Sequence, residues 1–219
     1  MAGMYPFLAV ELPGFETLGP GTWTNDHGDV IQTLFFDLVP DLPSPLEEPD
    51  RLRQEMAALA AHHGAALIEA DVVTLDRLPA FRQIVKAKIP DQPVGQVFSG
   101  NYIVPKADCS AVVQVQAVER GITGVREALV LAAVGQQNFF LRHPYLPPGV
   151  QGGLPYHVAD NADRDAQFPD HPLTRVRLIL AGIADTVRLD SEFAARAPFT
   201  GPAGRDIKAN ANGQDSIER

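Results

Sequence analysis

The clearest pattern in the chain is an alternation of apolar and polar side chains near its middle. Residues 97–104 and 110–119 have the composition of two strands joined by a short turn. Within the second strand, apolar Ala111, Val113, Val115 and Ala117 alternate with Val112, Gln114, Gln116 and Val118. Successive side chains of a strand point to opposite faces, so this pattern predicts a strand of an antiparallel sheet with one wholly apolar face.

Strands are also predicted earlier in the chain. Residues 5–15, 21–23 and 30–39 are apolar runs bounded by turn residues, and the Asn, Asp, His and Gly residues at 25–29 fit the tip of a hairpin. We interpret these segments as a hairpin and a short preceding strand.

A four-strand meander is predicted from residue 65 onward. Residues 65–74 and 81–89 form its first two strands, with Asp76-Arg77-Leu78-Pro79 as the turn between them. The outward side chains of the first strand are acidic and those of the second are basic: Glu69 and Asp71 against Arg82, Lys86 and Lys88. Opposite charges across antiparallel strands stabilise the pair, so the two strands are predicted to be neighbours.

A first helix is predicted before the meander. Leu52, Met56, Leu59 and His63 fall on one side of a helix, and Gly64 is suited to end it. Two starts are open. Ser44-Pro45-Leu46-Glu47 fits a capping box with proline at the first helical position, and Pro49 fits a start one turn later.

Two more helices are predicted after the meander. The second has Thr123 as its N-cap and is apolar around its whole circumference at 128–134, which predicts that both sides are covered. The third spans 170–189, with Asp170 as its cap and an apolar stripe of Leu173, Val176, Leu180, Ile183 and Val187. A sheet covers only one side of a helix, so the two helices are expected to pack on each other within one cooperative unit.

These elements predict an α+β fold, an antiparallel β-sheet meander with flanking helices in an αβα sandwich, plus a C-terminal helical extension. The sheet domain is assigned to residues 1–140, and residues 141–199 to a loop-and-helix extension packed on it. Residues 200–219 have few apolar side chains and are predicted to be a flexible tail. The loop at 141–169 is long for a compact domain, which is typical of a wrapping, functional segment or a mobile one.

Composition narrows the classes of partner. The 219 residues carry 27 acidic and 18 basic side chains, a net charge of −9 that argues against a nucleic-acid partner. No stretch has the roughly 20 apolar residues needed to span a bilayer, and the first residues lack the pattern of a signal peptide. We therefore expect a cytoplasmic protein with no membrane insertion.

Few residues suggest catalysis or metal binding. Asp26, His27 and Asp29 have the residue types of an acid/base or metal site, but on a hairpin tip they are more simply turn residues. His62 and His63 are interpreted as packing and capping residues at a helix end. Cys109, the single cysteine, is interpreted as a passive turn residue and excludes an intramolecular disulfide.

An acidic loop has some of the residue types of a calcium site. Asp160, Asp163 and Asp165 resemble part of a calcium loop, but their spacing does not match the EF-hand, which predicts a solvated acidic loop instead. The common nucleotide-binding, serine-hydrolase and zinc-protease motifs do not occur. No cofactor, metal or catalytic residue is therefore predicted.

An aromatic and proline-rich cluster is the candidate for recognition of a protein partner. It comprises Phe139, Phe140, Tyr145 and Tyr156 beside several prolines and glycines. Rigid aromatic side chains are common at the centres of protein interfaces. The alternative is that these rings cover the second helix as ordinary core.

The element order resembles the PsbP-like fold, whose members include an extrinsic photosystem subunit, a Ran-binding nuclear import factor and bacterial secretion-associated chaperones. The resemblance covers about residues 5–140 and is carried by Leu12-Pro13-Gly14-Phe15 and by the meander at 70–119 with its Leu78-Pro79-Ala80 turn. The segment 141–189 departs from that fold. The resemblance implies a binding protein rather than an enzyme.

Three hypotheses for function follow. The first is a non-catalytic bacterial binding or adaptor protein, chaperone-like or immunity-like, that engages a protein partner through a sheet face or through residues 141–169. The second is a small-molecule or lipid-binding module with a pocket between sheet and helix. The third is a hydrolase-like enzyme that uses Asp26, His27 and Asp29.

Overall fold

The main sheet has seven antiparallel strands. The computed structural model describes residues 7–10, 12–147 and 153–202. The strands of this sheet are β2 (Glu16–Gly19), β3 (Thr22–Thr24), β4 (Val30–Phe36), β5 (Ala66–Leu75), β6 (Leu78–Lys88), β7 (Gln96–Pro105) and β8 (Ser110–Val118). Their spatial order is β2-β3-β4-β8-β7-β6-β5. Strand β4 pairs with β8, and this pairing connects the early hairpin to the meander β5 to β8. The predicted α+β fold class is confirmed.

A second, two-stranded sheet pairs an early segment of the chain with a segment that follows α4. It pairs β1 (Phe7–Ala9) with β9 (Arg188–Leu189) in antiparallel orientation. The predicted first strand at 5–15 falls partly outside the described residues, and so do most of the predicted tail at 200–219 and the glycine-rich part of the long loop.

Helices lie on both faces of the main sheet. They are α1 (Pro49–His62), α2 (Val125–Val134), α3 (Gln136–Phe139), α4 (Pro172–Thr186) and α5 (Ser191–Ala194), with 3-10 turns at Val158–Asp160 and Ala162–Gln167. None of the helices in the described ranges is both long enough and apolar enough to cross a bilayer.

Alternate residues of β6 contact the two helical layers. Phe81 packs with Leu52 and Met56 of α1 on one face, whereas Ile84 belongs to the core cluster that contains Leu180 of α4. This follows from the two-residue period of a strand. Because both faces are covered, the predicted outward position of Lys86 is wrong, and its side chain is 1% exposed.

The structure decides where the first two helices begin. The first helix begins at Pro49, the later of the two open starts, while the Ser44 hydroxyl donates to the Glu55 carboxylate. The second helix is preceded by Gly124, whose φ of 72° suits glycine, rather than capped by Thr123. The predicted pairing of the acidic and basic strands is confirmed by an Arg82–Glu69 ion pair of 2.7 Å.

The apolar stripe of α4 packs against the sheet. Leu173, Val176, Leu180 and Ile183 are buried in one core cluster with residues of β7 and β8. The close approach is possible because Gly100 of β7 has no side chain, and a Cβ there would lie 2.6 Å from Leu180 Cδ1 and Val176 Cγ1. Helix α4 is shorter than the predicted span 170–189, and His171 rather than Asp170 is its N-cap. It packs on the main sheet, so the prediction that its stripe packs on the second helix is wrong.

Candidate functional site

Helix α2 turns an apolar face outward. Its exposed residues are Val125, Ala128, Leu129, Ala132 and Ala133, which fall on one side of the helix and are called here the α2 face. Leu129 is 56% exposed and Val125 is 42% exposed. The prediction that both sides of this helix are covered is therefore wrong. The α2 face carries no charge.

The charged residues of α2 point into the protein. Arg126 is 1% exposed, and its guanidinium donates to the backbone oxygens of Ala159 and Asn161 at 2.6 and 3.0 Å. It also donates to Asp165 Oδ1 and to Thr174 Oγ1, both at 2.9 Å. The usual arrangement of a surface helix is thus reversed, because the polar contacts hold α2 from inside and leave apolar side chains outside.

A second arginine supports the same segment. Arg177 of α4 donates to Asp165 Oδ1 at 2.7 Å and to the backbone oxygen of Asp160 at 2.6 Å, and it forms an ion pair with Glu69. The turns that follow the long loop are therefore fixed by charged hydrogen bonds, which are stronger than neutral ones.

A buried ion pair lies beneath the turn that contains Asp160. Lys86 Nζ donates to Asp160 Oδ1 and Oδ2 at 2.9 and 2.7 Å and lies 3.1 Å from His157 Nε2. Burial lowers the pKa of Lys86, and the Asp160 carboxylate opposes that effect. Burial also lowers the pKa of His157 to about 4. The predicted solvated acidic loop is wrong at Asp160, which is 1% exposed.

The four aromatic residues predicted as a recognition surface occupy different positions. Phe139 is buried and stacks on His157 with a centroid distance of 4.8 Å, whereas Phe140 is 58% exposed. Tyr145 Oη accepts from the Ala70 amide at 3.2 Å, and Tyr156 Oη donates to Asn161 Oδ1 at 3.0 Å. Burial raises the pKa of Tyr156 to about 12. Phe140 is therefore the one of these rings that is mainly exposed.

The hairpin residues Asp26, His27 and Asp29 do not converge on a catalytic arrangement. Asp26 and His27 are exposed, while Asp29 is fully buried. Arg175 donates to both Asp29 carboxylate oxygens at 2.8 and 2.7 Å. Asp29 therefore joins the hairpin to α4.

The contacts of Cys109, His62 and His63 give no indication of a catalytic role. Cys109 is buried, and burial raises the pKa of its thiol, an effect that disfavours the reactive thiolate. His62 and His63 are exposed, with ring centroids 5.3 Å apart in an edge-to-face arrangement.

An open cleft of about 470 Å³ lies where β8, α2 and α4 meet. Glu119 and His171 line it, and Glu127 of α2 lies beside them. The backbone amides of Gln96 and Gly124 each donate to Glu119 at 2.9 Å. Burial acts to raise the pKa of Glu119, but the His171 ring and these amides outweigh it and hold the pKa below its ordinary value. Burial raises the pKa of Glu127, and the charge of Glu119 adds to that effect.

The distribution of charged residues in the sequence of α2 is a feature that indicates its reversed orientation and that the helical period alone does not reveal. In the run 125–134 the only charged residues are the adjacent pair Arg126 and Glu127, in an otherwise apolar helix. Charged residues are rarely buried unless they are paired. A helix with so few charges therefore has either a fully covered surface or an apolar face in solvent, and this chain has the second arrangement.

Comparison with protein-family models, curated proteins and solved structures found no match to this chain. Its function is therefore inferred from the residues and contacts described above. The two features best suited to binding are the apolar α2 face and the cleft beside it.

Proposed function

We propose that this chain is a non-catalytic adaptor that binds a partner protein through the α2 face. The observation that carries the proposal is the reversed orientation of α2, with Arg126 buried and Leu129 exposed. Apolar patches rimmed by polar residues mark interaction sites in soluble proteins. Here the exposed polar residues Gln136, Gln137 and Asn138 follow the patch along the chain.

The support beneath the α2 face favours a preformed surface. Four hydrogen bonds from Arg126 attach the helix to the turns below it and to α4. Just beyond α3, the backbone of Phe140 bridges to His157, so its exposed ring stands on a fixed support. A preformed surface loses less conformational entropy on binding than a flexible one.

The occupant that fits this surface is an apolar segment of a different protein, without a strong negative charge. The α2 face is uncharged, so it selects a partner by apolar contact. The chain as a whole has a net charge of −9, which opposes association with a second copy. A ten-residue helix is about 15 Å long, so the contact is small and the binding is expected to be weak and reversible.

The other hypotheses receive less support from the geometry. Leu180 and Val176 of α4 pack directly on Gly100, which leaves no room for a lipid or small molecule between that helix and this part of the sheet. Asp29, one of the two acids named in the hydrolase hypothesis, forms a buried ion pair with Arg175. The resemblance of the element order to the PsbP-like fold agrees with a binding role.

A photo-crosslinking experiment tests the proposal. A photoreactive amino acid is placed at Leu129, and in a matched control at Leu178, an exposed leucine of α4 that is 65% exposed. Each variant is produced in the organism that makes the protein, and its crosslinked products are identified by mass spectrometry. We expect a discrete partner from position 129 that is absent from position 178.

The captured protein is then purified and titrated against wild type, Leu129→Asp and Leu178→Asp. We expect Leu129→Asp to weaken binding at least about tenfold, since a charge would be buried in an apolar contact. Leu178→Asp should change the affinity less than about twofold. Equal crosslinking at both positions, an unchanged affinity for Leu129→Asp, or a product containing only two copies of this chain would overturn the proposal.

A further inference from the structure

Three potential metal ligands from three different elements meet at the base of the cleft. They are Glu119 at the end of β8, Glu127 of α2 and His171 immediately before α4, and one ligand atom from each lies within 4.8 Å of the others. His171 Nε2 is 3.8 Å from Glu119 Oε1, too far for a hydrogen bond.

The imidazole of His171 is buried and has an unused ring nitrogen. Its side chain is 9% exposed, and neither His171 Nε2 nor Glu127 Oε2 has a hydrogen-bond partner. A buried polar atom without a partner calls for an explanation, such as an ion that occupies the space between these atoms. Both atoms belong to residues of this three-ligand cluster, beside the already oriented carboxylate of Glu119.

From this arrangement we propose that Glu119, Glu127 and His171 bind one divalent transition-metal ion. One imidazole nitrogen and two carboxylate oxygens are a donor set that Zn²⁺ accepts, and a site with three protein ligands leaves a fourth position for water. The imidazole disfavours Ca²⁺ and Mg²⁺, which prefer oxygen ligands. The open cleft provides a route by which the ion can enter.

The geometry requires only small movements. Zn²⁺ bonds of about 2.0–2.1 Å place tetrahedral ligands about 3.3 Å apart, so the three side chains have to close slightly around the ion. Glu119 is held by two backbone amides but retains further lone pairs on the same oxygens. A cation would also relieve the repulsion between the two carboxylates.

Binding of the ion changes one hydrogen bond of α4. The Leu173 amide donates to His171 Nδ1 at 3.2 Å, so the neutral ring carries its proton on Nε2. Metal binding at Nε2 displaces that proton, and the neutral ring then carries its hydrogen on Nδ1. The Leu173 amide consequently loses its acceptor. The amide resonance of Leu173 is thus a local reporter of the loaded state.

Zinc titration of the chelator-washed full chain tests the proposal. Isothermal calorimetry with ZnCl2 is expected to show one ion per chain, with a raised melting temperature and a shifted Leu173 amide resonance. Glu127→Gln preserves the shape of the side chain, and His171→Ser retains a residue type that favours the N-cap position. Each should weaken zinc binding at least about tenfold.

Controls separate this site from other histidines. His27→Ala, at the rim of the cleft, and the double variant His62→Ala/His63→Ala should leave the zinc affinity unchanged. Circular dichroism verifies that each variant folds, and Glu127→Gln decides the question if His171→Ser does not fold. Absence of one-to-one binding, or binding that survives in Glu127→Gln, would overturn the proposal. Its outcome is independent of whether the α2 face binds a partner.

Discussion

The Arg175 guanidinium donates one hydrogen bond to each carboxylate oxygen of Asp29, at 2.8 and 2.7 Å, although the two residues are 146 positions apart in the sequence. Asp29 is fully buried at the base of the hairpin between β3 and β4, and Arg175 lies on α4. This pair joins the early hairpin to the late helix. A buried charge of this kind is tolerated because its partner satisfies both oxygens.

Replacing Arg175 with Met should destabilise the protein by about 3–5 kcal/mol, since Asp29 would remain buried without its partner. The free energy of unfolding is measured by chemical denaturation. The double variant Asp29→Asn/Arg175→Met removes both charges and should recover part of the loss. An Arg175→Met protein within about 0.5 kcal/mol of wild type would show that solvent reaches Asp29 easily.

Two glycines near α4 should respond in opposite directions to alanine. A Cβ at Gly100 would lie 2.6 Å from two side chains of α4, so Gly100→Ala should cost about 1–3 kcal/mol through overpacking. Gly182 is exposed within α4 and has open space around it, so Gly182→Ala should stabilise the helix by about 0.5–1 kcal/mol. Thermal and chemical unfolding both report the two effects.

The pair of glycine variants distinguishes close packing from loose docking of α4. If Gly100→Ala were as stable as wild type, the helix would be able to move away from the sheet at little cost. Gly182→Ala serves as the comparison because it adds the same methyl group on the exposed side of α4, away from the contact with Gly100.

The sheet was predictable because its signals are local. Alternation along β8 and the charges of Glu69 and Arg82 specify strands and a neighbour relation without any knowledge of distant contacts. The partner of α4 was not predictable in this way. Its stripe is equally suited to a helix or a sheet, and the choice depends on the absence of a side chain at Gly100, far away in the chain.

Acid should destabilise the protein through His157. The pKa of His157 is about 4 in the folded protein, below the ordinary value of 6.5, because the ring is buried and 4% exposed. The unfolded state therefore binds the proton more readily. Stability is retained above about pH 6.5 and lost as the pH falls from there toward 4, by about 3 kcal/mol for this group.

The variant His157→Gln isolates this effect, since glutamine does not titrate. The free energy of unfolding is measured from pH 7 to pH 4 for both proteins, and the difference between the curves removes contributions from unrelated carboxylates. Wild type should lose more stability than the variant, although the neighbouring Lys86 and Asp160 keep their contacts with each other. Parallel curves would show that folding does not lower the pKa of His157.

The candidate sites were less predictable than the fold because they depend on which way charged residues point. Helix periodicity placed the apolar run of α2 in a covered position, since exposed apolar faces are uncommon. The reversed orientation is determined by acceptors that lie on distant segments, the carbonyl groups of Ala159 and Asn161 and the side chains of Asp165 and Thr174. Likewise, the approach of Glu119, Glu127 and His171 depends on how three elements pack.

Arg126 is the residue on which the orientation of α2 depends, and its substitution gives the most direct test of that arrangement. Arg126→Met should destabilise the protein by about 3–5 kcal/mol and increase amide hydrogen exchange throughout α2, because buried acceptors lose their donor. The stability of Arg126→Lys should lie between that of this variant and that of wild type, since an ammonium group cannot reproduce the planar set of donors.

Arg51→Met, at an exposed ion pair of α1, is the matched control and should leave the unfolding midpoint near that of wild type. If Arg126→Met exchanged no faster in α2 than the control, apolar contacts of Val130 with Phe139 and Ala159 would suffice to hold the helix, and the four hydrogen bonds would not be what turns its apolar face outward.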